Sequence, residues 1–508
     1  MANTETKAAS KGFLDSYFKI SERGSTIGTE IRGGLVTFFA MCYIIVLNPL
    51  ILGLTPDSTG AYLGAELASG DPTAIGAGIP LIAAATSLIA AIMSIAMGAF
   101  ANFPIAIAAG LGLNALMAYT IVKMPGMTWA DGMGLVLLEG VVILILVLTG
   151  FRTAVFRAVP AGLKTAISVG IGLFIAFIGL VNAGLVTTPA MFDYQPGNQP
   201  GTPVQLGSSG SIDSWPILVF VLGLLAIVIL TAKKVKGAML YSIVGATVVA
   251  VIIEQVAKLG AKDQGTGAWE NPKGWSLNAP TLPEKWITLP DFSLIGQVSP
   301  FGAFSKIGVI AVILMVFSLL LADFFDTMGT MVAVGAEAGL LDSEGNPPKT
   351  QTILVVDSIA AAAGGVGSVS SNTAFIESAS GVGEGARTGL APIVTGLAFL
   401  LSTFLAPVVA LVPYEAATPA LVFVGFLMMT QVTGIKWSDF EIALPAFLTI
   451  IIMPFTYSIT DGIGAGFLFW TAIKIAKGKS KQVHPLMWIV ALMFVVYFVL
   501  GPIKNALL

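Results

Sequence analysis

The sequence predicts an all-α polytopic membrane protein built from two related halves. Three observations predict it. The chain is 56% hydrophobic and only 10% charged, where a soluble domain carries about 25% charged residues. Apolar segments long enough to cross about 30 Å of hydrocarbon recur along its whole length. Two short, interrupted, glycine-rich segments, "NFPIAIAAGLGLNALMAYT" and "GGVGSVSSNTAFIESASGVGEG", hold matching places in the two halves.

Taken in order, residues 1–30 form a polar segment in which Phe13, Leu14, Tyr17 and Phe18 fall on one helical face. That face suits a short helix lying on the membrane surface. The segment lacks the apolar core of a signal peptide, so a cleaved leader is not expected. Candidate spans follow near 31–53, 79–99, 103–122, 131–150, 164–185, 214–232 and 237–256. Residues 257–304 are polar, contain Trp269, Trp275 and Trp286, and read as an external loop or cap. The second set lies near 305–334, 350–368, 369–385, 389–412, 415–433, 439–457, 461–477 and 484–501. The tail from 439 holds either three spans or two and a re-entrant piece. With the N-terminus inside, eighteen of the 25 lysines and arginines fall on cytoplasmic segments and six outside, leaving Lys504 unassigned. The bias predicts a cytoplasmic N-terminus. Seven spans before the loop is an odd number, so the second half runs inverted to the first. Broken spans at matching positions are the best sequence pointer to a transporter's binding site.

Several classes are excluded by what is missing. Cys42 is the single cysteine and His484 the single histidine, which removes an intrachain disulfide, a Cys-based or His-cluster metal site and a histidine proton relay. No Gly-x4-Gly-Lys-Ser/Thr phosphate loop is present, so ATP does not drive the protein from within this chain. No basic run suggests nucleic acid, and no motif implies a cofactor or metal.

The polar residues within the spans are few. "LLLADFFDTMGT" (319–330) places Asp323 and Asp326 about 300° apart on a helix, hence on one face. A carboxylate at mid-membrane depth costs roughly 2.5–3.5 kcal/mol on insertion scales, so such a pair faces protein or a wet cavity. Carboxyl groups there can take up a proton at one membrane surface and release it at the other; the competing role is locking helices through backbone or Thr327. Glu377 in "NTAFIESASG" sits in a span whose Ser371, Asn372 and Thr373 can satisfy an unwound backbone. It can accept N–H donors of a ligand. Asn114 in "AAGLGLNA" offers donor and acceptor together, which suits a flat heterocycle or a helix–helix bond. Phe324, Phe325 and Phe375 can stack on such a ring or simply pack. Asp357 and Arg387 read as structural, and Glu139 and Glu254 lie in their spans without polar company. A membrane-embedded enzyme using Asp323 and Asp326 is the reading from another class; it lacks the ligands for a metal.

Five stretches resemble the nucleobase–cation symporters, in their AzgA-like purine permease branch: "TEIRGGLVTFFAMCYIIVLNPLIL" (29–52), "GLGLNA" (110–115), "ADFFDTMGT" (322–330), "NTAFIESASGVGEGARTGL" (372–390) and "ALPAFLTIIIMPFTYSITDGIGAGF" (443–467). The resemblance covers nearly the whole chain. It implies fourteen spans as two inverted repeats of seven, with the short third and tenth spans facing each other, each part strand and part helix. It implies core-domain spans 1–4 at 31–150 and 8–11 at 305–412, and gate-domain spans 5–7 at 151–256 and 12–14 at 413–508. Residues 1–30 and 257–304 remain the N-terminal segment and the extracytoplasmic loop. The implied activity is elevator-type uptake of a purine base (adenine, guanine or hypoxanthine) with protons, by a homodimer in the cytoplasmic membrane. It further implies that Asp323, Glu377, Asn114, Thr373, Phe325 and Phe375 hold the base, and that Asp323, Asp326 and Glu377 handle the proton. Relatives commonly carry Tyr where this chain has Phe375, and the run 484–501 sits awkwardly in a count of fourteen. An anion transporter of the same fold, or one for uracil or xanthine, is the alternative; an acid at Glu377 repels anions.

Overall fold

The computed structural model describes residues 12–150, 159–187, 204–207, 210–235, 237–262, 271, 273–276, 278–342, 346–409 and 411–507. Among them, ten helices are long and apolar enough to cross a membrane, and shorter apolar helices lie between and after them. The all-α membrane fold read from the sequence is therefore borne out.

The first span is Ile27–Met41 continued by Ile44–Gly53. The break falls at Cys42 and Tyr43, ahead of Pro49, and turns Tyr43 inward. The second is Ile79–Ala96, ending in a π-helical turn Met97–Ala101. The third is not one helix. It is strand β1 (Ile107–Ala109), then a half-helix Leu111–Leu116 with the turn Met117–Ile121. Asn102 in the left-handed region at φ 49° starts this change of course; Pro104, which lacks an N–H, and the β-branched Ile105 and Ile107 favour extended chain. Spans four to seven are Trp129–Leu148, Ala161–Asn182, Trp215–Ala232 and Ala238–Ala257. A two-residue hairpin, β2 (Val186–Thr187) with β3 (Gln205–Leu206), lies between the fifth and sixth.

The second half opens with Gly302–Glu337, kinked at Gly308, and Thr350–Val366. Its third element is again broken: strand β4 (Asn372–Ala374), then the half-helix Ser378–Gly383. β1 and β4 pair antiparallel, Ile107 with Ala374, Ala108 with Thr373 and Ala109 with Asn372. Gly110 N–H to the Ser371 carbonyl (2.9 Å) and Phe375 N–H to the Ala106 carbonyl (3.0 Å) extend the ladder. A two-stranded sheet has open edges, which bare hydrocarbon does not tolerate. Side-chain hydroxyls close them. Ser94 Oγ accepts from Ile107 N–H and donates to the Ile107 carbonyl, both at 2.9 Å, and Ser378 Oγ accepts from Ala106 N–H at 3.0 Å. The two third elements meeting head to head are what an inverted repeat requires.

The remainder is Leu390–Ser402 running on to Val409, then Tyr414–Ala417 with Pro419–Met429 as the twelfth span, Phe440–Thr456, Ile459–Ala476 and Pro485–Leu507. The ambiguous tail thus forms three helices, and the last stands beyond the two sets of seven. At the other terminus Phe13–Phe18 is a helix with Phe13, Leu14 and Tyr17 exposed. Phe18 departs from the predicted apolar face: it is buried, packing with Ile20 and Leu390. The segment after 257 is more than a connector where it is described. Trp275 is fully buried and its indole N–H bonds Glu254 Oε2 at 2.7 Å. Trp286 is exposed, and Trp269 lies outside the described residues.

Candidate functional site

A cavity of about 100 Å³ opens where β1 and β4 meet. The first span contributes Tyr43, the third Gly110–Leu113, the eighth Asp326 and Thr330, and the tenth Thr373–Glu377. Ile167, Ser168 and Ile171 of the fifth span and Val424 and Met428 of the twelfth form the facing wall.

Glu377 follows β4 at the head of the short half-helix and accepts the Tyr43 phenol O–H at 2.5 Å. Asp326 is exposed to the cavity. Thr373 is a cavity residue on one side and on the other bonds the Thr327 hydroxyl at 2.7 Å; Thr327 in turn donates to Asp357 Oδ1 at 2.9 Å. Phe375 is buried and lines the same space. The cavity therefore presents two carboxylates, hydroxyls and the backbone of both broken spans between aliphatic walls. That arrangement can hold a compact solute whose edge carries N–H donors and whose faces are apolar.

The predicted residues divide. Glu377, Thr373, Phe375 and Asp326 meet at the cavity. Asp323 and Asn114 do not line it. Asp323 is fully buried and, among the described residues, has no hydrogen bond of normal geometry to its carboxylate oxygens, although Thr373 is a neighbour. Asn114 is fully buried with both amide atoms unpartnered among the described residues. The face shared by Asp323 and Asp326 is thus split between protein interior and cavity. The Phe325 side chain lies outside the described residues; Phe324 is buried. Two readings need correction. Glu139 has polar company, accepting from Ser371 Oγ at 3.4 Å with Asp357 nearby. Glu254 receives the N–H groups of Leu259 and Gly260, each at 3.1 Å, besides Trp275. Sequence reasoning passed over Tyr43 and Ser168. A lone tyrosine just before a proline-containing apolar run was the available signal for Tyr43; nothing in the local sequence singles out Ser168.

Away from the cavity, the last residue of the fifth span closes a polar knot. Asn182 Nδ2 donates to the hydroxyls of Tyr119 (2.9 Å) and Tyr414 (3.1 Å), which lie 3.3 Å from each other. The Tyr457 ring packs edge-on against Tyr119, Phe174 and Phe177, with centroids 5.7, 5.3 and 6.0 Å away. The loop after the seventh span adds Ser276 N–H to Glu415 Oε1 at 2.7 Å and Asn278 to the Val412 carbonyl at 2.9 Å. Burial lowers the Lys262 ammonium in that loop, with Glu415 and Asp213 acting the other way.

Two broken spans crossing at a polar cavity inside a many-helix membrane fold define a membrane transport protein. The sequence places it further: the chain belongs to the Permease family, matching it over residues 28–465. It is 37% identical over 486 residues to the guanine/hypoxanthine permease PbuG of Bacillus subtilis (strain 168), covering 96% of this chain and 99% of that one. It is 35% identical over 494 residues to the adenine permease AdeP of Escherichia coli (strain K12), covering 97% and 98%. These relatives bear out the resemblance read from the five stretches. Among solved structures, the transmembrane domain of the cyanobacterial bicarbonate transporter BicA aligns with TM-score 0.55 at 15% identity over 85% of this chain and 97% of that one. SLC26A9 aligns with TM-score 0.59 at 11% identity over 92% and 67%. Likeness at that identity concerns the fold alone.

Proposed function

We propose that the protein imports purine nucleobases (adenine, guanine or hypoxanthine) together with protons. The carrying observation is the cavity at the β1–β4 crossing, where Glu377 and Asp326 stand among apolar walls. A purine edge supplies the N–H donors those carboxylates accept, and its faces suit Phe375 and the aliphatic wall. The names of the relatives, guanine/hypoxanthine and adenine permeases, support that substrate class. Asp323, in the interior behind Thr373, and Asn114 support the site without lining it. The same carboxyl groups exchange the coupled proton.

The transport step is elevator-type. Residues 31–150 and 305–412 form the core carrying both broken spans, and 151–256 and 413–508 form the gate. Ile167, Ser168, Ile171, Val424 and Met428 are the gate's contribution to the cavity. Lysine and arginine placement supports a cytoplasmic N-terminus in the cell membrane, and the resemblance supports a homodimer.

The test is uptake of labelled hypoxanthine in cells lacking their own purine carriers. Unlabelled adenine, guanine and hypoxanthine compete in the expected result. Glu377→Gln and Asp323→Asn abolish uptake while the protein still reaches the membrane, and a protonophore collapses uptake by the unsubstituted protein. Full uptake in both variants would refute the site. Sodium dependence with indifference to the protonophore would refute the coupling.

A further inference from the structure

We propose that the groove between Ile459–Ala476 and Pro485–Leu507 binds an anionic glycerophospholipid, one acyl chain in the groove and the head-group phosphate on Lys477 and Lys479. The groove has a volume of about 470 Å³ and is lined by Leu468, Ala472 and Ile475 from one helix and Trp488, Leu492 and Val495 from the other. It runs about two helical turns, ~10 Å, along both helices. Its one hydroxyl, on Thr471, is committed to the Phe467 carbonyl at 2.8 Å. Apart from the Trp488 indole N–H the lining is hydrocarbon, so the occupant along the length of the groove is an acyl chain.

The short segment that joins the two helices lies at one mouth of this groove, and it is strongly cationic. Three lysines converge on a single carboxylate there. Glu441 takes Lys474 at 2.5 Å, Lys477 at 3.1 Å and Lys479 in a tight contact. Lys474 is nearly buried and held further by Gln482 Oε1 at 3.0 Å and by the Trp470 ring at 5.6 Å. Lys477 and Lys479 keep 46% and 42% of their side-chain surface exposed, against 8% for Glu441. Three ammonium groups on one carboxylate leave an excess of two positive charges, carried by the two exposed lysines. Basic pockets between membrane helices take phospholipid head groups. A neutral lipid would use the groove and leave the lysines unanswered; a soluble anion would do the reverse. An anionic phospholipid answers both, and lysine placement puts this mouth at the cytoplasmic leaflet, where such lipids concentrate.

Native mass spectrometry of the purified full-length protein with equal amounts of dioleoyl phosphatidylglycerol and dioleoyl phosphatidylcholine tests this. The expected result is retention of phosphatidylglycerol in preference to phosphatidylcholine. Lys477→Ser with Lys479→Ser reduces that preference roughly thirtyfold, at about one kcal/mol for each lysine near the head group. Both side chains are surface residues, and Lys474 still neutralises Glu441, so the variant folds. Ala472→Phe fills the groove and lowers retention of both lipids. Equal retention of the two lipids, or a preference that survives in the double lysine variant, overturns the proposal. So does efficient cross-linking between copies bearing Leu492→Cys and Cys42→Ala in membranes, which would make a second copy the occupant.

Discussion

Tyr43 and Glu377 lie 334 positions apart in the chain and share a 2.5 Å hydrogen bond at the cavity wall. A bond to a charged group is worth about 1.5–3 kcal/mol. Tyr43→Phe removes the donor and keeps the ring, so the expected outcome is hypoxanthine uptake lowered by about tenfold or more at sub-saturating substrate. Unchanged uptake kinetics would mean that this bond does not orient Glu377 for substrate. At this scale the sequence was informative about acids and poor about their partners. Glu377, Asp323 and Asp326 stand out because a carboxyl group in a run of Leu, Phe and Ile needs a reason. Periodicity put the two aspartates on one face, yet a face is wide enough to hold one residue in the cavity and one in the interior. Tyr43 is an ordinary residue until the fold places it opposite Glu377, and Thr327 and Ser371, polar residues the sequence does mark, meet Asp357 and Glu139 rather than the partners it suggests.

Between residue and molecule the decisive element is the β1–β4 pair. Gly110 follows β1, and its φ of −75° is one any residue adopts. What requires glycine is space: a methyl there would sit 2.8 Å from Thr373 Cγ2 and 3.0 Å from Leu113 Cδ1. Gly110→Ala therefore pushes the Thr373 side chain toward the cavity it lines. Overpacking of this kind costs typically 1–3 kcal/mol, and uptake is expected to fall about tenfold or more while membrane expression holds. Uptake equal to the unsubstituted protein would show that Thr373 does not border the substrate. Glycine and serine content marked both third spans as broken, and their matching positions were legible from the span count. Their strand character was not, and entered only through the family resemblance. Three residues such as Asn372–Ala374 carry no alternation to read, and Ser94 and Ser378, which close the sheet, come from other segments.

For the whole molecule, the span list located both halves and their inverted relation, while the final helix, Pro485–Leu507, stood outside any repeat and is placed by its packing against Ile459–Ala476 and Gly302–Glu337. Neither the periodicity nor the composition hinted at how the two ends of the cavity route differ. Along the fifth span, Ile171 borders the cavity and Asn182 lies ~16 Å further on, in the hydrogen-bonded knot with Tyr119 and Tyr414. That knot ties the third span to the fifth and twelfth, which the proposed mechanism assigns to domains that slide past each other. Holding them together there closes the cavity to the side on which Tyr119 and Tyr414 lie, the outside in the proposed topology. Asn182→Leu keeps the bulk and removes both donated bonds. The measurement is the labelling rate of Ser168→Cys, at the cavity wall, by a membrane-impermeant thiol reagent added outside, with the buried Cys42 replaced by alanine. The rate is expected to rise several-fold when Asn182→Leu is added, because the outer closure opens more often. An identical rate with and without Asn182→Leu would mean that the two bonds Asn182 donates do not hold the outer end closed and that some other contact seals it.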